Sequence, residues 1–148
     1  MLHFEGTEQF GCHPAAAFAY LADPARLARA LPEHHVTAEA ADSAAWKVRP
    51  KFAFMAGTLD TTATLIAMTP GVAVSYRIAS TGVGSSSTME THLTLIEHAG
   101  GTQVRWTGDL VELGGLLKIV PRGMLQTAAL KTIADLWSAV RAGLAGGD

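Results

Sequence analysis

The sequence predicts an α+β fold in which a curved antiparallel sheet wraps around one long C-terminal helix. From residue 35 to about residue 113, apolar and polar side chains alternate at the period of two that is typical of strands. After Gly114-Gly115 the apolar period changes to that of a helix and continues nearly to the last residue. Because the strands follow one another without intervening helices, we expect an antiparallel sheet.

A strand and two short helices precede this region. Alternating apolar side chains over residues 2–10 predict a half-buried strand. Pro14, followed by three alanines, is typical of the first turn of a helix. We expect Asp23 to cap a second helix with Pro24 at its first position, and Pro32 to end it.

The central region reads as a meander of long strands separated by glycine-containing turns. Five alternating runs place these residues on one face: Trp46, Val48, Pro50, Phe52 and Phe54; Leu59, Thr61, Ala63 and Leu65; Val72, Val74, Tyr76 and Ile78; Met89, Thr91, Leu93 and Leu95; Val104, Trp106, Gly108 and Leu110. The intervening positions are mostly polar, so we expect the opposite face to be solvated.

The predicted C-terminal helix contains Pro121, which removes a hydrogen bond and clashes with the preceding turn. We therefore expect a kink, or a separate short segment before residue 121. The predicted apolar stripe consists of Leu117, Val120, Met124, Ala128, Leu130, Ile133, Trp137, Val140 and Leu144.

A strongly bent sheet leaves more space than one helix of about 10 to 12 Å diameter fills, so we expect an internal cavity. The predicted lining residues are Trp46, Val48, Phe52, Leu59, Thr61, Tyr76, Ile78, Met89, Thr91 and Trp106 from the sheet, with Leu116, Leu117, Val120 and Met124 from the helix. This mostly apolar set suits a hydrophobic small molecule with one or two polar atoms. The same pattern is also what a solid core requires, and that alternative stays open.

Composition excludes several classes of protein. A chain of 148 residues with 49% hydrophobic side chains predicts one domain over residues 1–148, and its single cysteine excludes an internal disulfide. A net charge of −2 argues against nucleic acid as a partner. The apolar runs are shorter than the roughly 20 residues of a membrane-spanning helix. The N-terminal residues carry no export signal, so we expect a cytoplasmic location.

The titratable residues form no convincing catalytic or metal-binding group, and we expect no catalytic residue, metal or cofactor. His34 and His35 are expected in a solvated loop after the second helix. Only Tyr76 and Glu8 are candidates for an inward titratable group, and Tyr76 is expected to orient a ligand or to support the fold. An enzyme would need such an inward acid–base pair.

The segment after the paired glycines carries large apolar residues beside two cations, Lys118 and Arg122. Such a segment suits contact with an anionic membrane surface or with a partner protein. We expect Leu117 and Val120 to cover the cavity. For Leu116 and Ile119 two roles stay open: covering the cavity, or contacting a membrane surface or a partner protein.

Five short motifs, in this order and spacing, resemble the CoxG-like family of carbon monoxide dehydrogenase subunits. They are Phe4-Glu5-Gly6, Leu21-Ala22-Asp23-Pro24, Ala30-Leu31-Pro32, Ala56-Gly57-Thr58-Leu59 and Gly114-Gly115. The resemblance implies the helix-grip fold of the START-like (SRPBCC, Bet v 1-like) superfamily. It also implies an accessory protein of molybdenum-containing carbon monoxide dehydrogenases and related hydroxylases, which helps recruit the enzyme to the membrane and binds a lipid-like or quinone-like molecule. Arg122 is displaced from the position where the family tends to have arginine, which puts an arginine-based role there in doubt.

The residues and the resemblance together predict a non-enzymatic module that binds a hydrophobic small molecule. Two alternatives stay open: a START-like enzyme of the cyclase, aromatase or hydrolase type, and a ligand-free protein-interaction module with a solid interior.

Overall fold

The computed structural model describes residues 2–30, 34–49 and 57–145, and it confirms the predicted α+β class. The strands are β1 Leu2–Phe10, β2 His34–Glu39, β3 Ser43–Val48, β4 Leu59–Thr69, β5 Ala73–Gly82, β6 Ser85–His98 and β7 Gly101–Gly115. The helices are α1 Pro14–Leu21, α2 Pro24–Ala30 and α3 Arg122–Ala145, and a 3₁₀ helix spans Leu116–Ile119. Pro50, Phe52, Phe54 and the predicted helix end at Pro32 lie outside the described residues.

These strands form one antiparallel sheet in the order β1-β7-β6-β5-β4-β3-β2. Strands β2 to β7 follow one another as a meander. Strand β1 pairs with β7 along the whole length of β1, from Leu2 opposite Leu110 to Phe10 opposite Thr102. Helices α1 and α2 carry the chain from β1 at one edge of the sheet to β2 at the other. The sheet therefore has its first two strands at opposite edges.

The two short helices begin as the sequence predicts. The His13 side chain accepts a hydrogen bond from the Ala15 N–H at 3.1 Å, which caps α1. The Asp23 carboxylate accepts one from the Ala25 N–H, also at 3.1 Å, which caps α2. Each cap satisfies a backbone donor that has no partner within its helix.

One prediction about the chain after α2 is wrong. His34 and His35 lie in β2 rather than in a loop, because this segment pairs with β3, with His34 opposite Val48 and His35 opposite Lys47. A six-residue edge strand carries too few alternating positions for its pattern to be distinguished from that of a loop.

The proline at position 121 separates two helical segments, as predicted. The 3₁₀ helix ends at Ile119 and α3 begins at Arg122. The predicted stripe on α3 is wrong at Met124 and Leu130, whose side chains are 44% and 47% exposed. Three residues outside that stripe, Leu125, Ala129 and Leu136, pack against the core instead. Met124 and Leu130 each lie one position, about 100° around the helix, from a residue that packs against the core, so the packed face of α3 is turned relative to the predicted stripe.

The hydrophobic core lies between the concave face of the sheet, the two short helices and the C-terminal half of α3. Its best-buried large side chains include Phe10, Leu21, Val74, Val104 and Val140. Within α3, Trp137 and Val140 are buried, whereas residues 122–136 contain no buried side chain. The C-terminal half of the long helix therefore carries its fully buried side chains, whereas the N-terminal half packs against the core only through half-buried ones such as Leu125 and Ala129.

Candidate ligand-binding site

The register of the sheet brings the predicted lining residues together on its concave face. Trp46 of β3 lies opposite Thr61 of β4, and Ile78 of β5 lies opposite Met89 of β6. Residues opposite one another in an antiparallel pair point to the same face. The period-two pattern is therefore sufficient to place residues from different strands on one surface.

The structure places the predicted lining residues at three levels of exposure. Trp46, Thr61, Tyr76 and Trp106 are buried; Val48, Leu59, Ile78, Met89, Thr91, Leu117 and Val120 are half-buried; Leu116 and Met124 are exposed; Phe52 lies outside the described residues. Ile119, predicted as a membrane or partner contact, is also exposed. Ligand contact by these residues stays a prediction.

The half-buried residues of the concave face are grouped toward the end of the sheet that carries the 3₁₀ helix. Leu59, Ile78 and Met89 are examples, and none of them is fully covered although each points inward. The N-terminal half of α3, which follows the 3₁₀ helix, supplies no buried side chain. Apolar surface on the sheet and apolar surface on the helix thus remain incompletely packed against each other.

Two hydroxyl groups on this face already have partners within the protein. Thr61 Oγ1 and Ser80 Oγ are 2.9 Å apart and share a hydrogen bond. The Tyr76 hydroxyl donates to the Leu21 carbonyl oxygen at 2.6 Å. Burial raises the pKa of the Tyr76 phenol well above its usual value, and the nearby Asp23 carboxylate adds to the effect. Tyr76 therefore joins the sheet to the end of α1 as a protonated donor.

A groove of about 330 Å³ opens between β1 and α3. Its walls include Trp106 of β7 and the helical residues Leu130, Ile133 and Trp137. The indole rings of Trp106 and Trp137 have centroids 6.2 Å apart and are tilted by 35°. This volume is at the lower end of the range for small-molecule sites.

An ion pair lies at the rim of the groove. Arg141 Nη2 donates to Glu8 Oε1 at 2.5 Å, and Arg141 Nη1 donates to the Gln9 carbonyl oxygen at 2.7 Å. The same guanidinium lies over the Phe10 ring, 4.8 Å from its centroid. These contacts attach the C-terminal part of α3 to β1 and neutralise the inward carboxylate.

Sequence reasoning identified Glu8 as an inward acid but missed its partner Arg141. A carboxylate on the apolar face of a strand requires a cation nearby, since an unpaired charge is costly to bury. The sequence contains 11 Lys and Arg residues, and no local pattern singles out Arg141 as this cation.

Two buried polar atoms have no hydrogen-bond partner among the described residues: Ser85 Oγ and Trp106 Nε1. An unsatisfied buried donor or acceptor costs about 1 to 3 kcal/mol. The Trp106 indole lies against Gly6 of β1, where a side-chain Cβ would be 2.7 Å from ring atom Cζ2. Glycine at position 6 is thus what leaves room for this ring.

Among residues 2–30, 34–49 and 57–145, no three His, Cys, Asp or Glu side chains are grouped as a metal site needs. Across the same ranges, we find no helix that combines the length and hydropathy required to span a bilayer.

The model of the CoxG family of carbon monoxide dehydrogenase subunits matches residues 6–145. This match covers nearly the entire chain. The chain belongs to the CoxG family. No curated protein matches the sequence at a significant level.

Solved structures share the fold of this CoxG family member at low sequence identity. A conserved protein from Geobacillus kaustophilus is 18% identical with a TM-score of 0.85, over 98% of this chain and 96% of that one. Ara h 8.0201 is 11% identical with a TM-score of 0.68, over 99% of each chain. A protein from Chromobacterium violaceum is 16% identical with a TM-score of 0.64, over 94% and 96%. The predicted helix-grip fold of the START/Bet v 1-like type is confirmed.

Proposed function

We propose that this CoxG family member is a non-enzymatic accessory protein that binds a hydrophobic small molecule between the concave face of the sheet and α3. The ligand is lipid-like or quinone-like. The protein serves a molybdenum hydroxylase of the carbon monoxide dehydrogenase type, acting as one domain over residues 1–148 in the cytoplasm.

The observation that carries this proposal is the uneven seating of α3. Residues 122–136 contribute no buried side chain, and the apolar residues facing this end of the helix, such as Ile78 and Met89, are half-buried. A ligand that fills this region covers apolar surface on both sides. Burial of about 300 Å² of apolar ligand surface contributes about 7 kcal/mol at ~25 cal/mol per Å², before the entropy of association is subtracted.

The two inward titratable groups support a non-enzymatic role. Tyr76 donates to a backbone carbonyl, and Glu8 accepts from Arg141. Each of them is bound to a partner inside the protein, where it serves the packing of a helix on the sheet.

Native mass spectrometry of the purified protein, with organic extraction of the same sample, tests the proposal. We expect a co-purifying lipid or quinone, and an increase in melting temperature when such compounds are added. The substitution Met89→Arg, which places a charge on the concave face, should abolish the increase, whereas Arg105→Ala on an exposed position of β7 should preserve it. A protein that carries no such molecule and whose melting temperature no lipid or quinone changes would contradict the proposal.

We further propose peripheral contact with the inner face of the membrane through a surface that we call the 3₁₀ patch, formed by Val83, Leu116 and Ile119. Their side chains are 38%, 53% and 79% exposed. The Leu116 N–H donates to the Gly84 carbonyl oxygen at 2.9 Å, so the 3₁₀ helix and the β5–β6 turn lie side by side. Lys118 adds an exposed cation that suits an anionic lipid surface.

Flotation with vesicles of phosphatidylglycerol and of phosphatidylcholine tests this contact. We expect binding to the anionic vesicles, and its loss in the Leu116→Asp/Ile119→Asp double variant, with Val111→Asp as a control at an exposed apolar position on β7. Equal binding of wild type and double variant would exclude the 3₁₀ patch as the contact surface. If the protein binds neither vesicle, the proposed membrane contact is wrong, and the 3₁₀ patch is then a candidate surface for docking to the partner enzyme.

A further inference from the structure

The groove between β1 and α3 combines apolar walls with one buried donor that has no partner. Leu130, Ile133 and Trp137 of α3 form one wall, and Trp106 of β7 lies on the sheet side. Trp106 is 9% exposed, and its Nε1 has no hydrogen-bond partner among the described residues. A buried donor of this kind is rare in folded proteins and calls for an explanation.

The charged groups of the groove have their partners in the protein. Glu8 is paired with Arg141, and the Glu5 carboxylate is 3.0 Å from the His3 ring nitrogen Nε2. The two carboxylates and the one guanidinium at the rim leave no excess positive charge for an anionic ligand. A neutral molecule therefore suits the groove better than an acid.

The surroundings of the indole allow it to serve a ligand. On the β1 side it lies against the backbone of Gly6, without an intervening side chain. On the α3 side, the Trp137 ring is the neighbour of the indole, and residues 122–136 of the helix add no fully buried side chain. Because Nε1 is buried in this structure, an acceptor atom reaches it from the groove when the α3 wall moves outward.

We propose that the β1–α3 groove binds a neutral, largely apolar molecule that carries a hydrogen-bond acceptor, such as a carbonyl oxygen, and that the Trp106 indole N–H donates to it. This inference rests on the proposed function and makes it more specific. It assigns the polar atom of the ligand to Trp106 and selects carbonyl-bearing molecules over hydrocarbons of the same shape.

Two matched probes test the inference: 2-acetylnaphthalene, and 2-isopropenylnaphthalene, in which a methylene group replaces the carbonyl oxygen. Their affinities for the wild-type protein and for Trp106→Phe are measured by calorimetry. We expect the ketone to bind the wild type about fivefold more tightly than the alkene, the central value for one added neutral hydrogen bond. In Trp106→Phe, which keeps an aromatic ring but lacks the donor, the two affinities should agree within about twofold.

The indole N–H resonances of the wild-type protein give a second readout that requires no variant to fold. The chain has three tryptophans, so three such signals are expected in a ¹⁵N-correlated spectrum. The ketone should move the Trp106 proton signal downfield, and the alkene should not. Assignment uses the nuclear Overhauser effects between the Trp106 indole N–H and the Gly6 Hα protons in the wild-type protein, because Gly6 lies against this ring.

The outcomes separate this inference from the proposed function. If both probes bind the wild type with equal affinity and the Trp106 signal does not respond to the ketone, the Trp106 assignment is wrong and hydrophobic binding stands. If neither probe binds, while lipids or quinones also leave the melting temperature unchanged, both proposals fail. If neither probe binds but a lipid or quinone does, ligand binding stands and the groove is not the site.

Discussion

At the scale of single residues, the Tyr76 hydroxyl joins two layers of the fold. It is buried on β5 and donates to the carbonyl oxygen of Leu21, the last residue of α1. The last four carbonyl oxygens of an α-helix have no hydrogen-bond partner within the helix, and the Leu21 carbonyl is one of them. One side chain thus satisfies a buried acceptor and fixes the position of α1 on the sheet.

Replacing Tyr76 by phenylalanine should lower the free energy of unfolding by about 1 kcal/mol, because it removes the hydrogen bond and leaves the Leu21 carbonyl oxygen without this donor. Urea unfolding measures the change. Thr81→Val, which removes an exposed hydroxyl from the same strand, should change the free energy by less than about 0.5 kcal/mol. A Tyr76→Phe protein as stable as the wild type would show that the hydrogen bond contributes nothing.

His3 lies between two carboxylates on the solvent-facing side of the sheet. Its Nδ1 is 2.5 Å from Asp109 Oδ1 and its Nε2 is 3.0 Å from Glu5 Oε1. The hydrogen bond to Asp109, followed by that to Glu5, raises the pKa of His3 above its ordinary value of 6.5. Since the pKa is higher in the folded state, the protonated ring stabilises the fold below pH 6.5. This contribution is lost as the pH rises through the folded-state pKa.

An NMR titration of the imidazole C–H signals should therefore place the His3 midpoint above 6.5. Asp109→Asn should lower the midpoint more than Glu5→Gln, because the bond to Asp109 is the larger cause of the shift. A His3 midpoint at or below 6.5 in the wild type would contradict this assignment.

At the scale of elements, the junction between β7 and the 3₁₀ helix depends on one glycine. Gly115 has φ +61° and ψ −135°, a conformation that residues with a Cβ rarely adopt. A Cβ at this position would also overlap the Gly84 carbonyl oxygen, which belongs to the adjacent β5–β6 turn. The backbone of that turn cannot move away without disturbing the start of β6.

Gly115→Ala should lower the free energy of unfolding by about 1 to 3 kcal/mol, the usual cost of such backbone strain. Gly123→Ala is the matched control, because this glycine lies in the first turn of α3 and a Cβ there would meet no atom within 4 Å. We expect the control to raise stability by about 0.5 to 1 kcal/mol, since alanine favours helix. Thermal or urea unfolding measures both, and equal effects of the two substitutions would refute the argument.

At the scale of the whole molecule, α3 has two halves with different attachments. The C-terminal half is held by Trp137, Val140 and the contacts of Arg141 with β1, whereas residues 122–136 contain no fully buried side chain. The Trp137 ring also packs near Phe10, with centroids 6.0 Å apart. This division leaves one end of the helix available to move when a ligand enters.

Hydrogen exchange should therefore be faster in the N-terminal half of α3 than in its C-terminal half. Arg141→Ala should accelerate exchange in the C-terminal half by up to about fivefold, the equivalent of about 1 kcal/mol for a partly exposed ion pair. Lys131→Ala, at an exposed position of the same helix, should leave that half unchanged. Uniform protection along α3 would contradict the two-part description.

The sequence by itself determined the kinds of elements, their order and the faces of the long strands. Gly108 and Leu93, for example, are buried on the predicted inner face, and the cap at Asp23 occurs where predicted. These features follow from interactions between residues close together in the chain, and such interactions leave a readable pattern.

Only the tertiary structure decided the features that depend on distant pairing. Strand β2 exists because β3 lies beside it, the face that α3 turns to the core is set by its packing on the sheet, and Arg141 pairs with Glu8 across 133 positions of sequence. The same holds for Trp106, whose isolated indole N–H results from its placement over Gly6. Contacts of this kind depend on how elements pack in space, and no local periodicity encodes them.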